Sequence, residues 1–180
     1  MDAEYHEWAH SPSHLFKPNA FYFVTAGTYG RKKLFDTPDK RDFLLHSMFE
    51  EARLRGWQFE AWVVLSNHYH FVAMAPDDAR TLRPMLIALH SKTAIWLNKL
   101  DNKAGRHVWY QYRDTCLTHE RSYLARLNYV MQNPVKHGVV QNAANYRWCS
   151  IGWFTANAQT GFRRAVLSFP CDRVNIEDDF

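Results

Sequence analysis

Residues 57–75, WQFEAWVVLSNHYHFVAMA, hold two runs rich in aromatic and β-branched side chains, WQFEAWVVL (57–65) and HYHFVAMA (68–75), with only Ser66 and Asn67 between them. Such side chains favour the pleated, half-buried surface of a sheet, and so short a polar link joins antiparallel neighbours. The segment predicts a β-hairpin. Upstream, AFYFVTAG (20–27) has the same composition and reads as a first strand, followed by a basic loop, Arg31-Lys32-Lys33. Thr37 and Pro38 then supply a hydroxyl N-cap and a first-turn proline for a helix running to about Arg55, with Gly56 as its stop. Its core face is read as Leu45, Met48, Phe49 and Ala52, spaced by three and four. Downstream, residues 82–100 predict a second helix, with Leu82, Met85, Leu86, Leu89, Trp96 and Leu100 as its apolar stripe and Pro84 in the tolerated first turn. VWYQYRDTCLT (108–118) supplies a further strand, and residues 120–133 a third helix ending at Pro134, whose ring cannot donate to the ladder.

The order β-α-β-β-α-β-α defines an α+β fold. Its first six elements match a ferredoxin-like βαββαβ sandwich, an antiparallel sheet with helices on one face, and a C-terminal helix follows. No repeat, low-complexity tract or linker divides the 180 residues. One domain is expected over 1–180, with a core at about 20–150, an irregular arm at 1–18 and a tail at 151–180. Trp148, Trp153 and Phe154 are expected to pack the C-terminal stretch onto the body. No apolar run approaches the ~20 residues that span a bilayer, and the N-terminus lacks the basic-then-apolar order of a secretory signal. The chain therefore reads as soluble and cytoplasmic, with no membrane partner. Cys116, Cys149 and Cys171 are far apart with no CxxC pair, which suits a reduced compartment. The formal charge of +4 suits a polyanionic partner without requiring one.

Three features carry chemistry. In a strand alternate side chains share a face, so His68 and His70 project together with Tyr69 opposite. Two imidazoles on a stiff sheet make a divalent-metal clamp, but taken alone the pair is a weak signal that reads more readily as ordinary polar residues on a half-exposed strand. Tyr129 and Asn133 lie one turn apart on the third helix. On a helical wheel Leu124, Leu127 and Met131 form the apolar arc, and Tyr129 and Asn133 fall nearly opposite, beside Ser122 and Arg126. Tyr129 thus points either to solvent or into a site made with another surface, whereas Tyr123 borders the apolar arc and reads as packing. The third feature is a basic supply, of which Arg31, Lys32, Lys33, Arg113, Arg126 and Lys136 are candidate phosphate contacts, interleaved with Tyr29, Trp109, Tyr110 and Tyr112 as where bases stack; most such residues also read as ordinary solvated surface. Tyrosine is a feeble nucleophile at neutral pH, and a nearby cation or metal helps form the phenolate. No GxSxG, P-loop or dense carboxylate cluster offers a better one.

WVVLSNHYHFVAMAP and RSYLARLNYVMQNPVKHGVV, in that order, resemble the histidine stretch and the tyrosine helix of the bacterial REP-associated tyrosine transposases, members of the single-tyrosine HUH transposase superfamily. VWYQYRD and YRWCS resemble two further stretches of that family, and the likeness runs over residues 21–150. The resemblance implies a magnesium or manganese ion (Mg2+ or Mn2+) held by His68, His70 and Asn133, with Tyr129 as nucleophile. It also implies cleavage of single-stranded DNA beside imperfect-palindrome hairpins, through a 5′-phosphotyrosine, by a bacterial protein that meets the nucleoid through DNA. Insertion-sequence members lend the tyrosine helix across a homodimer, and repeat-associated members can place it within a monomer. This chain departs from the family at Ser66, where proline is usual, and at Tyr69, where a small aliphatic residue is usual; neither removes a ligand. The alternatives are a non-catalytic hairpin-binding protein of the same fold and a metal-dependent phosphodiesterase that uses water.

Overall fold

In the computed structural model, which describes residues 4–6 and 14–171, the chain opens on two short antiparallel strands. β1 (Glu4–His6) pairs with β2 (His14–Phe16) from Glu4↔Phe16 to His6↔His14. This corrects the irregular arm expected at 1–18: strands of three residues are too short to show an alternating pattern. The rest of that arm and the end of the tail lie outside the described residues.

The main sheet consists of β3 (Phe21–Thr28), β4 (Gln58–Val64), β5 (His68–Met74) and β6 (Trp109–Leu117). Its order is β4-β5-β3-β6 with every pairing antiparallel, the ferredoxin-like arrangement expected of βαββαβ. The β4–β5 hairpin closes where predicted, with Leu65 N–H donating to His68 O at 2.8 Å.

One face of the sheet is covered by α1 (Pro38–Leu54) and α2 (Leu82–Leu100). Thr37 caps α1 by accepting from Lys40 N–H at 3.4 Å, and Gly56 turns the chain out at φ +76°. The core line of α1 is Leu44, Met48 and Ala52, so the predicted face is rotated: Leu45 is only partly buried and Phe49 is 39% exposed. Phe49 stands at the rim, where it meets Phe59 and Trp62 edge-on at 5.1 and 4.8 Å. In α2 the core line continues from Leu89 through Thr93 to Leu97, while Trp96 stacks on Phe43 at 4.0 Å and Leu100 is exposed. Thr93 escaped the apolar pattern because it is polar. Its hydroxyl donates to Leu89 O at 2.7 Å and accepts from Trp109 Nε1 at 2.9 Å, which permits full burial.

Tyr69 is wholly buried on this face, 2.8 Å from His90 Nε2, and the His90 ring stacks on Trp109 with centroids 4.5 Å apart. Burial holds His90 well below the usual histidine range, at about 3. The imidazole is therefore neutral in the fold and protonates more readily when unfolded. Its contribution is complete above pH ~6.5 and is lost as pH falls toward 3. Urea unfolding at pH 4.5 is expected to show roughly 2 kcal/mol less stability from this group than at pH 7. His90→Gln is expected to flatten that difference, and an unchanged difference would exclude His90 as its source.

The opposite face is crossed by α3 (Glu120–Lys136), followed by α4 (Ile151–Asn157) and α5 (Thr160–Leu167). α3 does not stop before Pro134 but runs on to Lys136. Proline there removes one donor, that for Val130 O; Cys149 Sγ lies 4.0 Å from this carbonyl and 3.4 Å from Met131 O. Asn128 Nδ2 donates to Phe169 O at 2.8 Å, tying α3 to the segment that follows α5. α3 is thus enclosed on two sides, which buries Leu127, Val130 and Met131 together with Tyr129 and Asn133. Trp148 and Phe154 pack as expected, whereas Trp153 is 47% exposed and only leans on Trp62 at 5.3 Å. Among the described residues no helix is long and apolar enough to cross a membrane.

Candidate metal and tyrosine site

The alternation of β5 puts His68 and His70 on the α3 face of the sheet, both essentially inaccessible, with ring centroids 5.0 Å apart. Each is held through Nδ1. His68 Nδ1 lies 2.8 Å from Asn67 Oδ1, and Asn67 Nδ2 donates to Arg31 O at 3.3 Å. The amide orientation is fixed by that second bond, so its oxygen accepts from His68 Nδ1–H and the ring's lone pair sits at Nε2. His70 Nδ1 lies 2.8 Å from the hydroxyl of Thr25, its partner in the β3–β5 register, which permits the same tautomer. Burial, then the neighbouring His70 and His137, hold His68 far below its usual range, at about 2. A neutral imidazole with Nδ1 tied down is the form that ligates a divalent ion, and the donor chemistry fits Mg2+ or Mn2+ held by two imidazoles and an amide. Among the described residues no group of three or more His, Cys, Asp or Glu is arranged to hold an ion, so the set depends on Asn133.

α3 completes the wall. Tyr129 is 3% exposed and meets His70 edge-on at 5.5 Å and Phe23 at 6.1 Å. The helical wheel left Tyr129 either in solvent or against another surface; it faces the imidazoles. Asn133 is fully buried one turn further on, close enough to His68 to favour its charged form. Tyr123 packs as expected, stacked on Phe21 at 4.2 Å with its hydroxyl donating to Glu60 at 3.3 Å.

The basic residues divide. Lys136, expected at a DNA phosphate, donates from Nζ to the Tyr129 phenol oxygen at 3.3 Å and lies 4.7 Å from the ring centre. Arg113 is exposed on β6 and shares a cross-strand row with Thr25 and His70. Arg126 is half-buried one turn before Tyr129, and burial lowers its pKa. Arg31, Lys32 and Lys33 are exposed on a turn joined to Asn67. Sequence reasoning missed His137, whose half-buried ring lies 4.8 Å from His68 and whose pKa is lowered by burial, His70 and Lys136. The signal was available, since Tyr129, Asn133 and His137 recur every four residues on one helical face. Thr25 and Asn67, which orient the imidazoles, were legible only once strand register was known.

No protein-family model matches the chain. The curated REP-associated tyrosine transposase of Escherichia coli K12 is 25% identical over 136 residues, covering 69% of this chain and 76% of the relative. The chain is thus similar in sequence to a REP-associated tyrosine transposase. A solved REP-associated tyrosine transposase bound to a REP hairpin superimposes with a TM-score of 0.66 at 20% identity, covering 97% of this chain and 94% of that one. The two chains therefore share a fold over nearly their whole length.

Proposed function

We propose that this protein is a metal-dependent transposase that cleaves and rejoins single-stranded DNA beside repeat hairpins, with Tyr129 as the nucleophile. The observation that carries this reading is the buried phenol of Tyr129 on the same wall as the two oriented imidazoles, His68 and His70. The solved relative with its REP hairpin supports the choice of hairpin DNA as partner.

Tyr129 oxygen attacks the scissile phosphorus, the bond from phosphorus to the 3′ oxygen breaks, and that oxygen leaves as a 3′-hydroxyl after taking up a proton. The product is a phosphodiester between Tyr129 and the 5′ end of the downstream strand. A free 3′-hydroxyl reverses the step and joins strands with no external energy source. Lys136, already donating to the phenol oxygen, holds the negative charge that oxygen carries before attack and on leaving. His68, His70 and Asn133 would hold the ion, and a bound Mg2+ or Mn2+ would polarise the scissile phosphate. The imidazoles serve because they are neutral and pre-oriented, leaving the ion's charge undiminished. Arg113 on β6 and Arg126 on α3 would contact phosphates of the bound strand.

The test is to incubate the protein with Mn2+ and hairpin-bearing single-stranded DNA labelled on either side of the cut. A denaturation-resistant adduct carrying only the downstream label, with a 3′-hydroxyl on the other fragment, is expected. Cleavage with no adduct would favour hydrolysis by water; binding with no cleavage would favour a non-catalytic hairpin-binding protein.

A further inference from the structure

We infer that Tyr29 and Tyr110 form a stacking platform for the unpaired bases of single-stranded DNA adjoining the scissile phosphate, flanked by Arg31, Lys32 and Lys33 as phosphate contacts. The inference rests on the proposed function and names the surface by which that site grips its strand.

Large aromatic rings are seldom left half in water in groups. Tyr29 and Tyr110 are 50% and 58% exposed, their ring centroids lie 6.4 Å apart, and exposed His107 lies 5.7 Å from Tyr29. They come from separate elements that meet at one end of the sheet, where Tyr29 N–H donates to Val108 O at 2.8 Å. That end is the end that carries His68. Gly27 pairs with His68 on one side of β3, and on the other side the β3–β6 register slips between Ala26↔Tyr112 and Thr28↔Trp109. The slip sets Tyr110 and Gln111 against Gly27, in the cross-strand row of His68, and a bulge of this kind turns both residues toward one face.

The cations are fixed to the same frame. Thr28 N–H donates to Asn67 O at 2.8 Å, Thr28 Oγ1 donates to Lys32 O at 2.6 Å, and Asn67 Nδ2 donates to Arg31 O. Arg31 follows Gly30 in the left-handed region, at φ +57° after +66°. For a non-glycine residue that conformation is unfavourable, and it persists because these bonds over-determine the turn. The result is a rigid basic turn beside exposed rings, anchored by the amide that orients His68. Rings and cations in alternation match a single strand, whose bases present π-faces and whose backbone presents phosphates; a duplex hides its faces.

The test measures binding without metal, so that cleavage does not enter. The probes are a DNA hairpin bearing a single-stranded thymidine flank with one 2-aminopurine, and the same hairpin without a flank. The Tyr29→Ala, Tyr110→Ala double variant is expected to raise Kd for the flanked hairpin about tenfold or more and to abolish 2-aminopurine quenching. The Tyr29→Phe, Tyr110→Phe variant keeps the rings and is expected to restore both, while Kd for the unflanked hairpin stays the same throughout. Unchanged affinity and quenching in the Ala variant, or an equal loss on both probes, would overturn the platform. If no covalent adduct ever forms yet the flank-specific loss is seen, the platform stands and the cleavage reading falls.

Discussion

Tyr129→Phe is expected to eliminate the covalent adduct and slow single-turnover cleavage by at least about 10³-fold, while leaving hairpin affinity within about twofold of wild type. The asymmetry follows from where the side chain lies. Its ring is packed edge-on against His70 and Phe23, and phenylalanine keeps both contacts. Phenylalanine removes the oxygen that accepts from Lys136, a bond worth about 1 kcal/mol of stability. A tyrosine that served only to pack would therefore be replaced at little cost to cleavage. Gel resolution of adduct and fragments separates the cases: cutting at the wild-type rate by Tyr129→Phe would end the assignment of Tyr129 as nucleophile. Lys136 sharpens the same comparison, because a phosphate contact would lose affinity on truncation whereas a partner of the phenol oxygen would lose rate.

The hairpin that contributes the imidazoles was legible because its two runs and its Ser66-Asn67 link all indicate the same turn. Thr37 and Pro38 marked the start of α1 for a local reason, the capping of its first turn. Side-chain facing was less legible. The core line of α1 passes through Leu44 and not Leu45, and that of α2 through Thr93, because neighbouring elements decide which side of a helix is covered. For α3 the difficulty was greater, since an apolar arc marks the burial of one face only. Here the sheet takes the Tyr129–Asn133 side and the C-terminal segment takes another, and no amphipathic pattern announces a helix enclosed twice. Pro134 within that helix, and the reach of Lys136 back to Tyr129, are consequences of the same enclosure.

Replacing either imidazole is expected to abolish cleavage while sparing most hairpin affinity, because arginine and lysine contacts to phosphate dominate binding to nucleic acid. His68→Ala and His70→Ala each open space in a closed wall, so a loss of activity has to be distinguished from a loss of fold. Thr25→Val makes that distinction. It keeps both imidazoles and nearly the same volume, and removes only the hydroxyl 2.8 Å from His70 Nδ1. Loss of an orienting partner of this kind typically weakens metal affinity 10–100-fold. Mn2+ titration followed by electron paramagnetic resonance is therefore expected to show no specific site in the alanine variants and a weakened one in Thr25→Val. Cleavage by Thr25→Val should recover as Mn2+ is raised, whereas the alanine variants should not recover. A protein that had merely unfolded would bind no hairpin and could not be rescued by metal. If His68→Ala and His70→Ala both cut DNA as wild type does, the imidazoles hold no catalytic ion, and the neutral, tethered state of His68 is a property of its burial alone.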